Sequence, residues 1–174
     1  MNNLYLVGYR GTGKTTLGKL VADKLGRTFV DSDDLIVARA NCSISEIFAK
    51  FGEDYFRALE KEVIEEFSRR DNLVVACGGG VVIQECNIAA LKRSGVVCLL
   101  VSHPDDIFQR ITGDTSRPAL TNDPLQEEIL SMLSRRAEFY EQSKHFEVNT
   151  SNNDQNRAAV LIAEGYSKFM SAEQ

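Results

Sequence analysis

Hydrophobic residues along this chain fall into two kinds of run. Leu4 to Val7, Leu73 to Ala76 and Val96 to Val101 are unbroken apolar stretches. They lack the alternation of a half-exposed strand, so they predict strands covered on both faces, as in the middle of a parallel sheet. Thr28-Phe29-Val30 and Phe146 to Val148 are shorter strand candidates. Elsewhere apolar residues recur every three or four positions: Leu17, Leu20, Val21 and Leu25 before Gly26; Ile44, Ile47, Phe48 and Phe51; Phe56, Leu59, Val63 and Phe67; Leu125, Ile129, Leu133, Ala137 and Tyr140; and Ala158, Leu161, Ile162, Tyr166 and Phe169. Each series predicts an amphipathic helix. Ser43 and Glu46 form an S-x-x-E capping box that opens the second, and Gly52 divides it from the third. Strands alternating with helices predict an α/β fold, a three-layer sandwich with a central parallel sheet of about five strands.

Length and charge narrow the function classes. A chain of 174 residues with 43% hydrophobic content is the size of one domain with one core, and no repeat or linker divides it. Its formal charge of -5 argues against a general nucleic-acid binder, which needs a basic face. Cys42, Cys77, Cys86 and Cys98 have no C-x-x-C spacing, and two histidines cannot complete a zinc set, so reduced thiols are expected. There is no signal-peptide pattern, and no run approaches the ~18 apolar residues that span a bilayer. A cytoplasmic protein that binds neither membrane nor nucleic acid is the expectation, and a monomer is expected as well.

Gly8-Tyr9-Arg10-Gly11-Thr12-Gly13-Lys14-Thr15 matches G-x-x-x-x-G-K-S/T between a predicted strand and a predicted helix. This is a P-loop. Backbone N–H groups from Gly11, Thr12, Gly13, Lys14, Thr15 and Thr16 are expected to face the phosphates at a helix N-terminus, with Lys14 bridging the β- and γ-phosphates and the Thr15 hydroxyl on Mg²⁺. The sequence has no N-K-x-D guanine motif and no L-S-G-G-Q signature, and neither the 73–76 nor the 96–101 strand ends in the Asp of motor and switch proteins. A small-molecule kinase using MgATP survives this elimination. A nucleotide-binding regulatory domain remains the reading from a different class.

The acceptor side is spread along the chain. Asp31 and Asp33 end the second strand two positions apart, where strand geometry points both carboxylates the same way, toward the P-loop; helix capping and loop solvation explain such a cluster equally well. Arg57 and Glu60 are three apart on one helical face, so the carboxylate can fix the guanidinium, although a solvated ion pair has the same spacing. Gly78, Gly79 and Gly80 follow a buried strand and remove every side chain where a ligand would approach. Residues 112–124, rich in Gly, Pro and small polar side chains, have the character of a mobile lid, and Pro118 keeps Arg117 out of helical geometry. Of Arg135 and Arg136, adjacent on a helix and about 100° apart, at most one reaches the site.

Taken together these motifs, in this order from residue 4 to about 150, resemble the shikimate kinases. They are the P-loop, the D-x-D of Asp31 and Asp33, F-R-x-x-E at Phe56 to Glu60, the glycine triplet, R-P at Arg117 and Pro118, and R-x-x-x-Y at Arg136 and Tyr140. The resemblance implies a P-loop kinase of the nucleoside monophosphate kinase type, a single domain over 1–174 with an acceptor-binding subdomain at about 32–62. ATP and shikimate are the implied substrates. Lys14, Asp33 and Arg117 would be catalytic. Arg57 and Arg136 would take the shikimate carboxylate, while Asp33 and the Gly78 to Gly80 segment would hold its hydroxyls. Asp31 would act on Mg²⁺ through water, Arg110 would stack near adenine, and residues 149–153 would form the adenine loop. The chain departs from the family pattern at Cys77, usually Thr or Ser, and at Ala119 in the lid. Gluconate and nucleoside monophosphate kinases are the nearest rivals.

Overall fold

The computed structural model of the chain describes residues 2–112, 123–151 and 153–172. Five strands form one sheet: β1 (Asn3–Val7), β2 (Thr28–Asp31), β3 (Leu73–Ala76), β4 (Gly95–Val101) and β5 (Phe146–Asn149). Their order is β2-β3-β1-β4-β5, and every neighbouring pair is parallel. The continuous apolar runs occupy β1, β3 and β4, the three inner positions. That is the placement two-sided burial demands.

Alternate residues of each strand face opposite layers. Tyr5, Val7, Val75, Val97 and Leu99 pack under α2 (Ser32–Ala40), α3 (Ile44–Ser68), α4 (Glu85–Ser94) and α6 (Leu125–Ser143). Leu4, Leu6, Val74, Cys98 and Leu100 pack under α1 (Lys14–Leu25) and α7 (Gln155–Ala172). Each fully buried Leu, Ile, Val or Phe contributes about 1.5–3 kcal/mol of transfer free energy, so the two layers clamp the sheet from both sides. A third cluster joins the P-loop to the far end of the sandwich: Tyr9 packs with Ile107 and Ile111 of α5 (Pro104–Ile111) and with Ile129 and Met132 of α6.

The strands run parallel, so their carboxyl ends share one edge, where ligands of open α/β sheets bind. Val7 opens there into the P-loop, Asp31 into α2, and Ala76 into Cys77 and the glycine triplet. The register holds these exits level, with Leu6 opposite both Ala76 and Cys98, and Asp31 opposite Ala76.

Most predicted elements are found with ends shifted by a residue or two. Ser43 and Glu46 form the expected reciprocal cap, and Gly52 interrupts α3 with φ of 82° and ψ of 175°. Asp31 and Asp33 do not lie on one extended segment: Asp31 caps α2, its carboxylate accepting from the Asp33 backbone N–H at 3.0 Å, and Asp33 stands in the first turn of the helix. The capping explanation of D-S-D-D is therefore right for Asp31, and strand periodicity is not what directs the two carboxylates.

Candidate active site

Two cavities meet at the P-loop. The larger, a cleft of about 740 Å³, runs along the N-terminus of α1 and is lined by residues 10–17, Asp31, Asp33, Cys77, Arg110 and the 153–155 segment. The smaller lies on the other side of the loop, against Phe48, Phe56, Arg57, Glu60, the glycine triplet and Arg136. Arg10 lines both.

The cleft has the character of a phosphate cradle. Gly8 takes φ of 143°, and a β-carbon there would lie 2.4 Å from the Leu100 carbonyl oxygen, so only glycine lets the loop leave β1 on this path. Lys14 Nζ donates to the carbonyls of Gly8 at 2.8 Å and Tyr9 at 2.9 Å, which holds the ammonium over the loop. Thr12 turns inward: its hydroxyl donates to the Tyr9 carbonyl at 2.8 Å and the residue is 1% exposed, so only its backbone faces the cleft. Thr15 Oγ1 donates to Asp31 Oδ2 at 2.8 Å. A hydroxyl beside a carboxylate is a hard-oxygen pair that fits Mg²⁺, an ion that keeps several waters and takes few protein ligands. Among the described residues no group of three or more His, Cys, Asp or Glu is placed to hold a metal ion by itself.

Arg110 closes the far end of the cleft. Its guanidinium donates to the Gly11 carbonyl at 3.1 Å, to Ser102 Oγ at 3.2 Å and to Thr150 Oγ1 and O, both at 3.3 Å. It ties the P-loop to the loop after β5, where Asn153 Nδ2 donates to the Asn149 carbonyl at 2.9 Å. Cys77 lies buried behind Lys14, and burial pushes its thiol well above the ordinary range, leaving a neutral, weak donor. Arg117, residues 113–122 of the expected lid and Asn152 of the expected adenine loop lie outside the described residues.

The smaller cavity is built from positions the motifs single out. Arg57 is locked between Glu60 at 2.8 Å and Glu53 at 3.0 Å. Glu60 is fully buried, and burial raises its pKa even though the Arg57 charge works against that rise. Gly78 and Gly80 leave no room for side chains: a β-carbon at Gly78 would meet Asp33 Oδ1 at 2.7 Å, and one at Gly80 would meet both Arg57 Nη atoms at 2.6 Å. Asp33, 7% exposed, thus stands against the triplet while lining the larger cleft. Of the arginine pair, Arg135 is exposed and Arg136 is buried, its Nη1 donating to the Gly79 carbonyl at 3.2 Å. Tyr140 Oη donates to the same oxygen at 2.7 Å. Arg136 has no carboxylate partner among the described residues.

One part of this site is absent from the motif reading. Arg10 pairs with the buried Glu128 of α6, which also accepts from Tyr9 Oη at 3.4 Å. The signal is a pattern break: Leu125, Glu128, Ile129, Met132 and Arg136 fall on one helical stripe, and two of the five are charged. Ionisable residues on an apolar stripe need partners, and those partners come from distant segments.

The model of the shikimate kinase family matches residues 10–166. Shikimate kinase of Thermoanaerobacter pseudethanolicus is 44% identical over 80% of this chain and 82% of its own length. That of Thermodesulfovibrio yellowstonii is 40% identical over 97% of both chains. Among solved structures, shikimate kinase from Acinetobacter baumannii in complex with shikimate superposes with a TM-score of 0.89 at 34% identity, covering 99% of this chain and 95% of its own.

Proposed function

The chain belongs to the shikimate kinase family, and from that premise we propose that it transfers the γ-phosphoryl group of ATP to the 3-hydroxyl of shikimate, giving ADP and shikimate 3-phosphate on the route to chorismate. The observation that carries the reading is Arg136, a buried guanidinium bonded to one carbonyl with no carboxylate partner among the described residues. A cation taken out of water without its counter-charge is costly, and an anionic ligand arriving there removes that cost. The carboxylate of shikimate, held between Arg57 and Arg136, supplies the missing charge through forked, charge-assisted hydrogen bonds.

With the carboxylate seated, the ring lies against Phe48 and Phe56 and its hydroxyls reach Asp33 and the backbone of Gly78, Gly79 and Gly80. Asp33 accepts from the reacting hydroxyl and orients it. A loose transition state asks for little deprotonation, so holding the hydroxyl in line is the larger contribution. Lys14 exchanges the Gly8 and Tyr9 carbonyls for phosphate oxygens and neutralises charge on the group in transfer. The backbone N–H groups of Gly11 to Thr16 bind the phosphates, and Arg110 borders the adenine end. Arg117 is assigned the phosphate contact that the family resemblance implies.

Thr15, directly, and Asp31, through water, would hold Mg²⁺. When bound, the ion supplies charge neutralisation on the phosphate oxygens. The acceptor-binding subdomain corresponds to about residues 32–62 of a single domain, and the protein acts as a cytoplasmic monomer. No helix among the described residues is long and apolar enough to cross a membrane.

Steady-state assays with shikimate, gluconate and AMP as acceptors test the reading. Phosphorylation of shikimate, with turnover on the others lower by about a hundredfold or more, is the expected outcome. Faster turnover on gluconate or AMP contradicts it.

A further inference from the structure

Three guanidiniums line the acceptor cavity, Arg10, Arg57 and Arg136, and their carboxylates are unevenly shared. Arg57 is held by two, Glu53 and Glu60. Arg10 is held by one, Glu128, through Nη2. Arg136 has none among the described residues. Arg10 and Arg136 each place the guanidinium carbon 6.0 Å from the centre of the Tyr9 ring, which is itself buried. Among the described residues, two cations thus share one aromatic platform and one ion-paired carboxylate, which leaves this wall of the cavity net positive. Arg57, by contrast, is engaged by two carboxylates, although the buried Glu60 also feels the charge of Arg136.

Arg10 also has donor capacity to spare. Its Nε is buried with no hydrogen-bond partner, and buried donors are normally paired. Glu128, 1% exposed and shared with Tyr9, fixes the guanidinium from the α6 side. The geometry points to Arg10 as a further specificity-determining residue: anchored by Glu128, it shares the acceptor carboxylate with Arg136 and carries more of that charge than the doubly compensated Arg57 does. This inference rests on the shikimate reading and adds a residue to it.

The test is the ratio of affinities for shikimate and for its neutral carboxamide, measured by calorimetry on the full chain without nucleotide. Arg10→Met alone would strand the buried Glu128 carboxylate, so the informative comparison is Arg10→Met/Glu128→Gln against Glu128→Gln. A purely structural role for Arg10 weakens both ligands alike and leaves the ratio unmoved. Glu128→Gln, which leaves Arg10 less compensated, is expected to keep the ratio at or above its wild-type value. The double variant is expected to lower it by about tenfold or more, the worth of one charge-assisted hydrogen bond. Arg10→Lys, which keeps a cation for Glu128 but loses the fork, is expected to fall between. A double variant whose ratio equals that of Glu128→Gln overturns the role of Arg10, while a wild-type preference for the acid leaves the shikimate reading standing. A wild-type protein that binds neither ligand overturns both.

Discussion

Gly80 and Arg57 are packed so tightly that a β-carbon on the glycine would stand 2.6 Å from both terminal nitrogens of the guanidinium. An arginine tip normally swings aside at little cost. This one is pinned from both sides, by Glu60 at Nη1 and by Glu53 at Nε and Nη2. Gly80→Ala is therefore expected to push Arg57 out of register and raise the KM for shikimate by about tenfold, the lower part of the range for overpacking a tight site. The KM for ATP, bound in the neighbouring cleft, is expected to move less than about twofold, since uniform binding lost on one side leaves the other intact. Equal changes in both constants would contradict the placement of Gly80 on the acceptor side.

Tyr140 ties α6 to the glycine triplet through its 2.7 Å bond to the Gly79 carbonyl, next to the bond from Arg136. Its phenol lies 5% exposed, and burial pushes its pKa up to about 12, so it donates as a neutral hydroxyl across the physiological range. Tyr140→Phe is expected to cost about 0.5–1.5 kcal/mol in urea unfolding, the worth of one hydrogen bond, because the carbonyl keeps the Arg136 donor. A few-fold rise in the KM for shikimate should accompany it. Unchanged stability would mean that Arg136 alone holds the triplet.

Glu60 gives a pH dependence whose sign follows from its burial. Its pKa in the folded chain is raised above the ordinary carboxylate value of 4.5, so the folded state binds its proton more tightly than the unfolded state does. The stabilising contribution is complete below the unfolded pKa and is lost as pH rises through the folded pKa. Glu60→Gln keeps a neutral, hydrogen-bonding side chain at every pH. Unfolding free energies of wild type minus variant, measured from pH 4 to 8, are expected to fall as pH rises. A difference that grows with pH would show that Arg57 more than repays the burial of the carboxylate.

Sequence patterning reveals the inner strands and the phosphate loop because each has a strong local cause. Two-sided burial makes β1, β3 and β4 continuous apolar runs, and close backbone approach to phosphate imposes the glycine spacing. Helix α2 is hidden for a physical reason. Its apolar residues Leu35, Ile36 and Val37 are adjacent rather than spaced at helical intervals, and only Ile36 among them is fully buried. The cap at Asp31 was the available sign, and it competes with the extended reading of the same residues. The pairing of Arg10 with Glu128 spans 118 positions, and no local rule reaches that far. Strand order likewise depends on packing between distant segments, and helix geometry alone does not choose between Arg135 and Arg136; that choice, like the positions of Asp33, Arg57 and the glycine triplet, is legible only as a motif of the family resemblance.

Arg136, a buried guanidinium with no carboxylate ion pair among the described residues, is the proposed seat of the acceptor's carboxylate. Titration calorimetry of shikimate into the nucleotide-free wild type and into Arg136→Met tests it most directly. Wild type is expected to bind, and the variant to lose about a hundredfold in affinity, the usual size when one partner of a buried charge pair is removed, while its affinity for ATP stays within about threefold. A variant that binds shikimate as tightly as the wild type does would place the acceptor's carboxylate elsewhere.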